Sequence, residues 1–289
     1  RVNQMATTNT LITCAACGKE ESEDNNLKAC TACNLVKYCN KDCQVAHRPQ
    51  HKSTCKKRAA TAIYDQALFK ESPVEHCPLC MLPMQRESGI ATFYPCCGKV
   101  ICGGCTYDDD NQQQRSNRKR KEMEETHPCP NCKMLPVTSD EEEMARIMKL
   151  IQSNNAHAYN LLARCYATGE KNVPRDKGKA IRFLLRAGEL GCAESYYTLG
   201  QIYETGTDVE VDEKKSRHFY ELAAMKGDTC ARYQRGRIEG ELGNHHRAFT
   251  HFLINARAGH SGSLRVVERA YMNGSITKVK YDDTSMTNG

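Results

Sequence analysis

The order of its cysteines leaves this chain few ways to fold. Between Cys77 and Cys132 it reads CPLC, PCCGKVICGGC and CPNC, giving the pairs Cys77 and Cys80, Cys96 and Cys97, Cys102 and Cys105, and Cys129 and Cys132. A two-residue gap lets one tight knuckle aim both sulfurs at a single ion, and zinc takes four thiolate or imidazole ligands in a tetrahedron. Eight ligands therefore imply two closed sites, which are structural because they leave no position for a substrate. Reduced, unliganded cysteine in a loop is the competing reading, and three such gaps in one stretch speak against it. A second set runs from Cys14 to Cys55 as CAAC, a variable loop, CTAC and YCNKDCQVAHRPQHKSTC, with seven cysteines and two candidate histidines. Residues 44–55 read as a short helix on which His51 and Cys55, at i and i+4, share one face, as two ligands of one ion require.

The pair order in residues 77–136 resembles a RING finger. The resemblance implies that the first and third pairs hold one ion and the second and fourth the other, bracing a domain too small for a core of its own. It also implies a partner. In RING-type ubiquitin ligases an apolar residue in the first knuckle and a proline in the last touch the ubiquitin-conjugating enzyme, and a basic residue follows the last ligand. Leu79, Pro130 and Lys133 hold those places. The departure lies in the second pair, where the usual histidine falls at Lys99. Cys96 beside Cys97 looks like an all-cysteine variant, and because adjacent cysteines on one ion need an awkward backbone, His127 or His76 stands as the alternative ligand.

The first set resembles the MYND zinc finger over residues 14–55. By that resemblance Cys14, Cys17, Cys39 and Cys43 hold one zinc, while Cys30, Cys33, His51 and Cys55 hold a second. His47 is expected beside the site rather than in it. MYND fingers bind short, often proline-containing peptides, but Arg48 stands where many of them have tryptophan. With both resemblances in place the chain carries sixteen ligands for four zinc ions.

Eighteen cysteines in 289 residues would suit a disulfide framework in a secreted chain, yet RVNQMATTNTLIT has no apolar signal core and no later run is long enough to span a membrane. The expectation is an intracellular protein, cytoplasmic or nuclear, with no membrane partner. A formal charge of +6 suggests nucleic acid. Counting fifteen cysteines before Lys133 as thiolates and adding four divalent ions brings that charge to −1, so overall basicity carries almost no weight. The basic cluster Arg115, Arg118, Lys119, Arg120 and Lys121 reads as a solvated segment in preference to a nuclear-import signal, and no aromatic residues interleave with it as nucleic-acid binding would need.

Two helical stretches flank the second cysteine set. Residues 56–70 place Ala60, Ile63, Tyr64, Ala67 and Leu68 on one stripe, expected to pack between the zinc modules. After Pro136, Ser139 with Glu142 forms a capping box, and Met144, Ile147, Met148 and Ile151 form a buried seam. From Asn155 onward the sequence repeats itself: ARCYATG, GQIYETG and GRIEGELG mark one helix of each unit, and KAIRFLLRAGELG, KSRHFYELAAMKG and RAFTHFLINARAG the other. A period of this length with two helices per unit makes a solenoid of the tetratricopeptide kind. The pattern resembles Sel-one-like repeats, three units and a lone helix, with Glu239 where a tyrosine is expected. Cys165, Cys192 and Cys230 have no ligand spacing and read as small apolar residues.

The fold class is thus multidomain: two small zinc-braced α+β fingers followed by an all-α helical-repeat solenoid. The expected order is a disordered N-terminus 1–13, a MYND-type finger 14–55, a linker helix 56–76, a RING-like finger 77–136 with a polar insertion 106–127, a linker helix 137–154, Sel-one-like repeats 155–275 and a disordered C-terminus 276–289. The resemblances imply protein partners: a ubiquitin-conjugating enzyme, peptide ligands of the MYND finger and a partner on the repeats. Two functions of different class follow, a RING-type ubiquitin-protein ligase and a non-catalytic adaptor with structural zinc.

Overall fold

The computed structural model describes residues 13–22, 26–33, 36–70, 75–84, 91–106, 128–137, 139–207 and 209–275. The tails 1–12 and 276–289, most of the expected insertion (107–127) with its basic cluster, and His127 lie outside the described residues. The chain divides into two compact units, Arg1–Leu68 and Phe69–Gly289.

In the first unit, strands β1 (Lys28–Ala29) and β2 (Lys37–Tyr38) pair antiparallel, and Cys14 is tied to Lys37 by an isolated bridge. Helix α1 follows at Lys41–Leu68. Its start is fixed by Asn40, whose side-chain oxygen accepts from the Cys43 amide at 2.9 Å, with Asp42 in the first turn. The expected short helix and the expected linker helix are one continuous element. Pro49 removes one backbone bond without ending it, on an exposed face. The stripe at its far end is uneven: Leu68 is buried, whereas Ile63 is 70 % exposed and Tyr64 37 %.

In the second unit, the hairpin of β3 (Ala91–Tyr94) and β4 (Lys99–Cys102) turns through Pro95, Cys96, Cys97 and Gly98. Helix α2 (Asp140–Gln152) begins at Ser139, whose hydroxyl accepts from the Glu142 amide at 3.2 Å. Ile147 is fully buried, while Met148 is half-exposed and lies outside the seam. The cluster around Ile147 takes in Met144, Leu150 and Ile151 from α2, Ala158 and Leu162 from the next helix, and Phe93 from β3. The hairpin therefore shares a core with the helical region, and the boundary expected near residue 137 is no break in packing.

Three helical pairs and a last helix follow: α3 (Ala156–Thr168) with α4 (Lys177–Glu189), α5 (Ala193–Thr205) with α6 (Glu213–Met225), α7 (Thr229–Glu241) with α8 (His245–Arg257), and α9 (Ser261–Met272). Asn155, Asp176, Asp212 and Asp228 cap four of them by accepting backbone N–H bonds. The packing is close because side chains are missing where helices cross. A Cβ on Gly200 would stand 2.6 Å from the Tyr220 ring, and one on Gly236 would stand 2.7 Å from Phe252. Cys165 and Cys192 are buried among these helices, as small apolar residues would be; Cys230 is half-buried.

Because the paired helices are of equal length, positions compare directly between repeats. Tyr159, Tyr166 and Phe183 form an aromatic set in the first, with Phe183 ring centroids 6.2 and 5.5 Å from the two tyrosines. Tyr196, Tyr203 and Phe219 repeat it at 6.1 and 5.6 Å in the second. Lys179 lies over Tyr166 and Lys215 over Tyr203. In the third repeat Arg232, Glu239 and His251 stand at the corresponding positions, all buried. Arg235 bridges Glu221 of the preceding pair and Glu239 at 2.7 Å each, so the charge is paired within the stack. The missing ring is supplied from elsewhere in the unit: Phe69 packs on His251 at 4.8 Å, and Arg247, the counterpart of Lys179 and Lys215, lies over it at 5.3 Å.

Candidate metal centres

Three knuckles share one backbone solution. The residue after the second cysteine adopts a left-handed conformation and its amide returns to the first cysteine's carbonyl: Gly18 to Cys14 at 2.9 Å, Met81 to Cys77 at 2.9 Å and Lys133 to Cys129 at 2.8 Å. Only Gly18 adopts that conformation without cost. Met81 and Lys133 are held there by the closed turn. The hairpin turn reaches a similar end, with Gly98 left-handed and its amide on the Tyr94 carbonyl at 2.9 Å, and so presents Cys96 and Cys97 together.

The structure brings the sixteen candidate ligands into four groups, Cys14, Cys17, Cys39 and Cys43; Cys30, Cys33, His51 and Cys55; Cys77, Cys80, Cys102 and Cys105; and Cys96, Cys97, Cys129 and Cys132. Within each, the ligand atoms lie within 4.8 Å of one another. Four sulfurs about 2.3 Å from a central zinc stand about 3.8 Å apart along the tetrahedron's edges. Cys30 to Cys55 is 3.7 Å, Cys77 to Cys105 3.8 Å, Cys80 to Cys102 3.7 Å and Cys97 to Cys129 3.8 Å. Shorter edges are Cys17 to Cys39, Cys96 to Cys132 and Cys33 Sγ to His51 Nε2, each 3.4 Å. The donor sets fit zinc, and four zinc sites follow. His76 stays out of them, in an isolated bridge with Pro83. His47 is beside its site: its Nδ1 bonds the Tyr38 hydroxyl at 3.0 Å and its ring stacks on His51 at 5.6 Å.

The electrostatics suit a cation. Burial opposes ionisation of Cys14, but the Cys17 and Ala16 amides outweigh it and hold the thiol down to about 6. Against the same opposing burial, the amides of its own knuckle, Cys33 and Ala32, hold Cys30 down to about 6, and the Cys102 amide, followed by those of Cys80 and Leu79, holds Cys77 down to about 6. Their partners move the other way: burial and the neighbouring thiols Cys17 and Cys14 push Cys43 up to about 12, and burial with Cys30 and Cys33 pushes Cys55 up to about 11. Backbone amides therefore favour a thiolate at Cys14, Cys30 and Cys77, and a divalent ion would supply the charge that lets their partners ionise.

The residues expected to meet a conjugating enzyme are not equally placed. Leu79 is 40 % exposed and Lys133 is exposed, but Pro130 is buried. Met81, Leu82, Met134 and Leu135 are exposed apolar residues beside the same two knuckles, which the sequence reading did not single out. It also missed the aromatic sets of the repeats, although Tyr159 with Tyr196 and Phe183 with Phe219 recur at the repeat spacing. A groove of about 420 Å³ in the first repeat is lined by Tyr159, Tyr166, Lys179, Arg182, Phe183 and Arg186.

Residues 14–55 match the MYND finger family, and residues 156–192 and 193–228 each match the Sel1 repeat. Over 106 residues the chain is 37 % identical to the Chitin synthase regulator SKT5 of Saccharomyces cerevisiae, a stretch that is 34 % of this chain and 15 % of that protein. A Sel1 repeat protein from Oxalobacter formigenes is similar in structure at a TM-score of 0.43 and 24 % identity, over 51 % of this chain and 63 % of that one. The c5321 antigen of uropathogenic Escherichia coli, which displays an SLR fold, is similar at a TM-score of 0.43 and 19 % identity, over 59 % of this chain and 34 % of that one. Among the described residues no helix is long and apolar enough to cross a membrane.

Proposed function

We propose that this chain, a MYND finger and a second cysteine module joined to Sel1 repeats, is a non-catalytic adaptor that holds partner proteins on separate surfaces. The sixteen residues act as ligands in the four groups given above, each ion complete at four donors. That completeness carries the reading: a zinc with four protein ligands has no open position for a substrate or a reactive water, so its contribution is to shape. The exposed Leu79, Met81, Leu82, Met134 and Leu135 give the second module an apolar surface to offer, and the repeats offer grooves between helices. A relative that matches part of the chain is named a regulator, and regulation of another protein by binding agrees with an adaptor.

The finer alternative is a RING-type ubiquitin ligase. Its support is the exposed Leu79 and the interleaved pairing of Cys77, Cys80, Cys102 and Cys105 with Cys96, Cys97, Cys129 and Cys132. A buried Pro130 weakens it. The test is discharge of ubiquitin from a panel of charged conjugating enzymes by the full, zinc-loaded chain. The adaptor reading expects none; discharge that disappears in Leu79→Ala with zinc retained would replace it with the ligase.

A further inference from the structure

The repeats provide an internal control for what the fold itself requires. Along the first helix of each pair, Tyr159 and Tyr166 recur as Tyr196 and Tyr203, and along the second Lys179 recurs as Lys215 and Arg247. Two further cations of the first repeat do not recur. Arg182 is matched by His218 and Thr250, and Arg186 by Leu222 and Ile254. Two neighbouring repeats form the same helical pair with those positions uncharged, so the pair of arginines is not needed for the helices to pack.

Those arginines line the groove of about 420 Å³ with Lys179, above a floor of Tyr159, Tyr166 and Phe183. Lys179 is paired with Asp176 at 3.5 Å and Arg186 with Glu189 at 3.1 Å, one at each end. Arg182, exposed between them, has no ion-pair partner among the described residues. A floor of half-buried rings under guanidinium groups suits a ligand that carries an apolar or aromatic side chain next to carboxylates. Asp176 and Glu189 offset most of the charge of Lys179, Arg182 and Arg186, and so small a surplus of positive charge in one groove suits a short segment with few carboxylates better than the extended run of phosphates that a nucleic-acid strand brings.

We propose that the groove of the first repeat is a docking site for an acidic peptide segment of a partner protein, seating an aromatic side chain on Tyr166 and Phe183 and its carboxylates on Arg182 and Arg186. The site rests on the adaptor reading and gives it a partner chemistry. The experiment is fluorescence anisotropy with the full zinc-loaded chain and a labelled short peptide of glutamates around one phenylalanine. Parallel titrations use the same peptide with glutamines in place of glutamates, and a labelled single-stranded RNA. The expected result is binding of the acidic peptide that weakens with salt and falls about tenfold or more in R182Q/R186Q, with the thermal midpoint unchanged because both side chains are exposed. Equal binding of the glutamine peptide, full binding by R182Q/R186Q, tighter binding of the RNA, or no binding of the acidic peptide each overturns the site. None of these touches the adaptor reading, which the ubiquitin-discharge test decides independently.

Discussion

In the unit of residues 13–68 the buried set is Cys14, Leu27, Cys30, Cys33 and Tyr38, whereas in the repeats it is Ala163, Leu184, Tyr196, Leu199, Tyr220, Ala223 and Ala231. The first is mostly sulfur, and sulfur that bonds a metal serves as a core only while the metal is there. The second is alanine and aromatic ring, held by shape, with glycines where two helices need the room. The same chain thus uses coordination chemistry where segments are too short to bury apolar area and dispersion where repeating helices can bury it on one another.

The largest expected effect separates the two directly. Metal analysis of fully reduced protein should find four zinc ions, and chelation should remove about 10–16 kcal/mol of apparent binding energy from each small module. Hydrogen exchange after chelation should then show protection lost across residues 13–55 and in the β3–β4 hairpin but kept in α5 to α8. Loss of protection in α5 to α8 would show that the repeats also depend on metal. Next is Gly200→Leu, which forces side-chain atoms into the Tyr220 ring and should cost about 3 kcal/mol in denaturant unfolding of the repeats while the zinc content stays at four. A smaller loss, about 2 kcal/mol, is expected for Phe69→Ala, because the ring that His251 and Arg247 pack against disappears. If that variant melts like the wild type, Phe69 does not complete the third repeat.

The smallest effect concerns pH. Burial holds the His251 imidazole down to about 3, helped by the positive charges of Arg232, Arg235 and Arg247, with Glu239 and the Phe69 ring also nearby. An unfolded histidine titrates near 6.5, so below that pH the unfolded chain takes up a proton that the folded one refuses. This group's contribution is flat above 6.5 and at pH 5.5 lowers stability by at most about 1.4 kcal/mol. His251→Phe, which restores the ring found in the other two repeats, should be less sensitive to acid than the wild type in parallel melts at pH 7 and pH 5.5. Identical differences in both proteins would assign the acid sensitivity to other groups, among them the zinc ligands and the capping carboxylates Asp176 and Asp212, which backbone N–H bonds hold below the usual range.

How much of this was legible follows from the range of each interaction. Ligand spacing is local, so Cys77 with Cys80 and His51 with Cys55 could be read from the sequence, as could helical periodicity and the departure at Glu239. The run of α1 through Pro49 was not, because a proline argues for a break and only the surrounding bonds decide otherwise. The exposure of Ile63 was missed because an apolar stripe carries no information on whether anything covers it. The burial of Pro130 was not legible because it depends on the folded module and not on the knuckle sequence. Phe69 against His251, and Phe93 beside Ala158, are meetings of residues distant in sequence, and no local pattern announces them.

Asn155 gives one carboxamide two duties. Its oxygen accepts from the Ala158 amide at 3.1 Å and starts α3, and its nitrogen donates to the Gly98 carbonyl at 3.0 Å, in the turn that carries Cys96 and Cys97. A Cβ on Gly98 would stand 2.7 Å from that nitrogen, so the turn has been pared to backbone to let the amide in. The turn that presents Cys96 and Cys97 and the first turn of α3 thereby share one hydrogen-bonded side chain. By linkage, any free energy that this hydrogen bond transmits between the turn and α3 would act equally in both directions, on metal held at Cys96 and Cys97 and on the helix start.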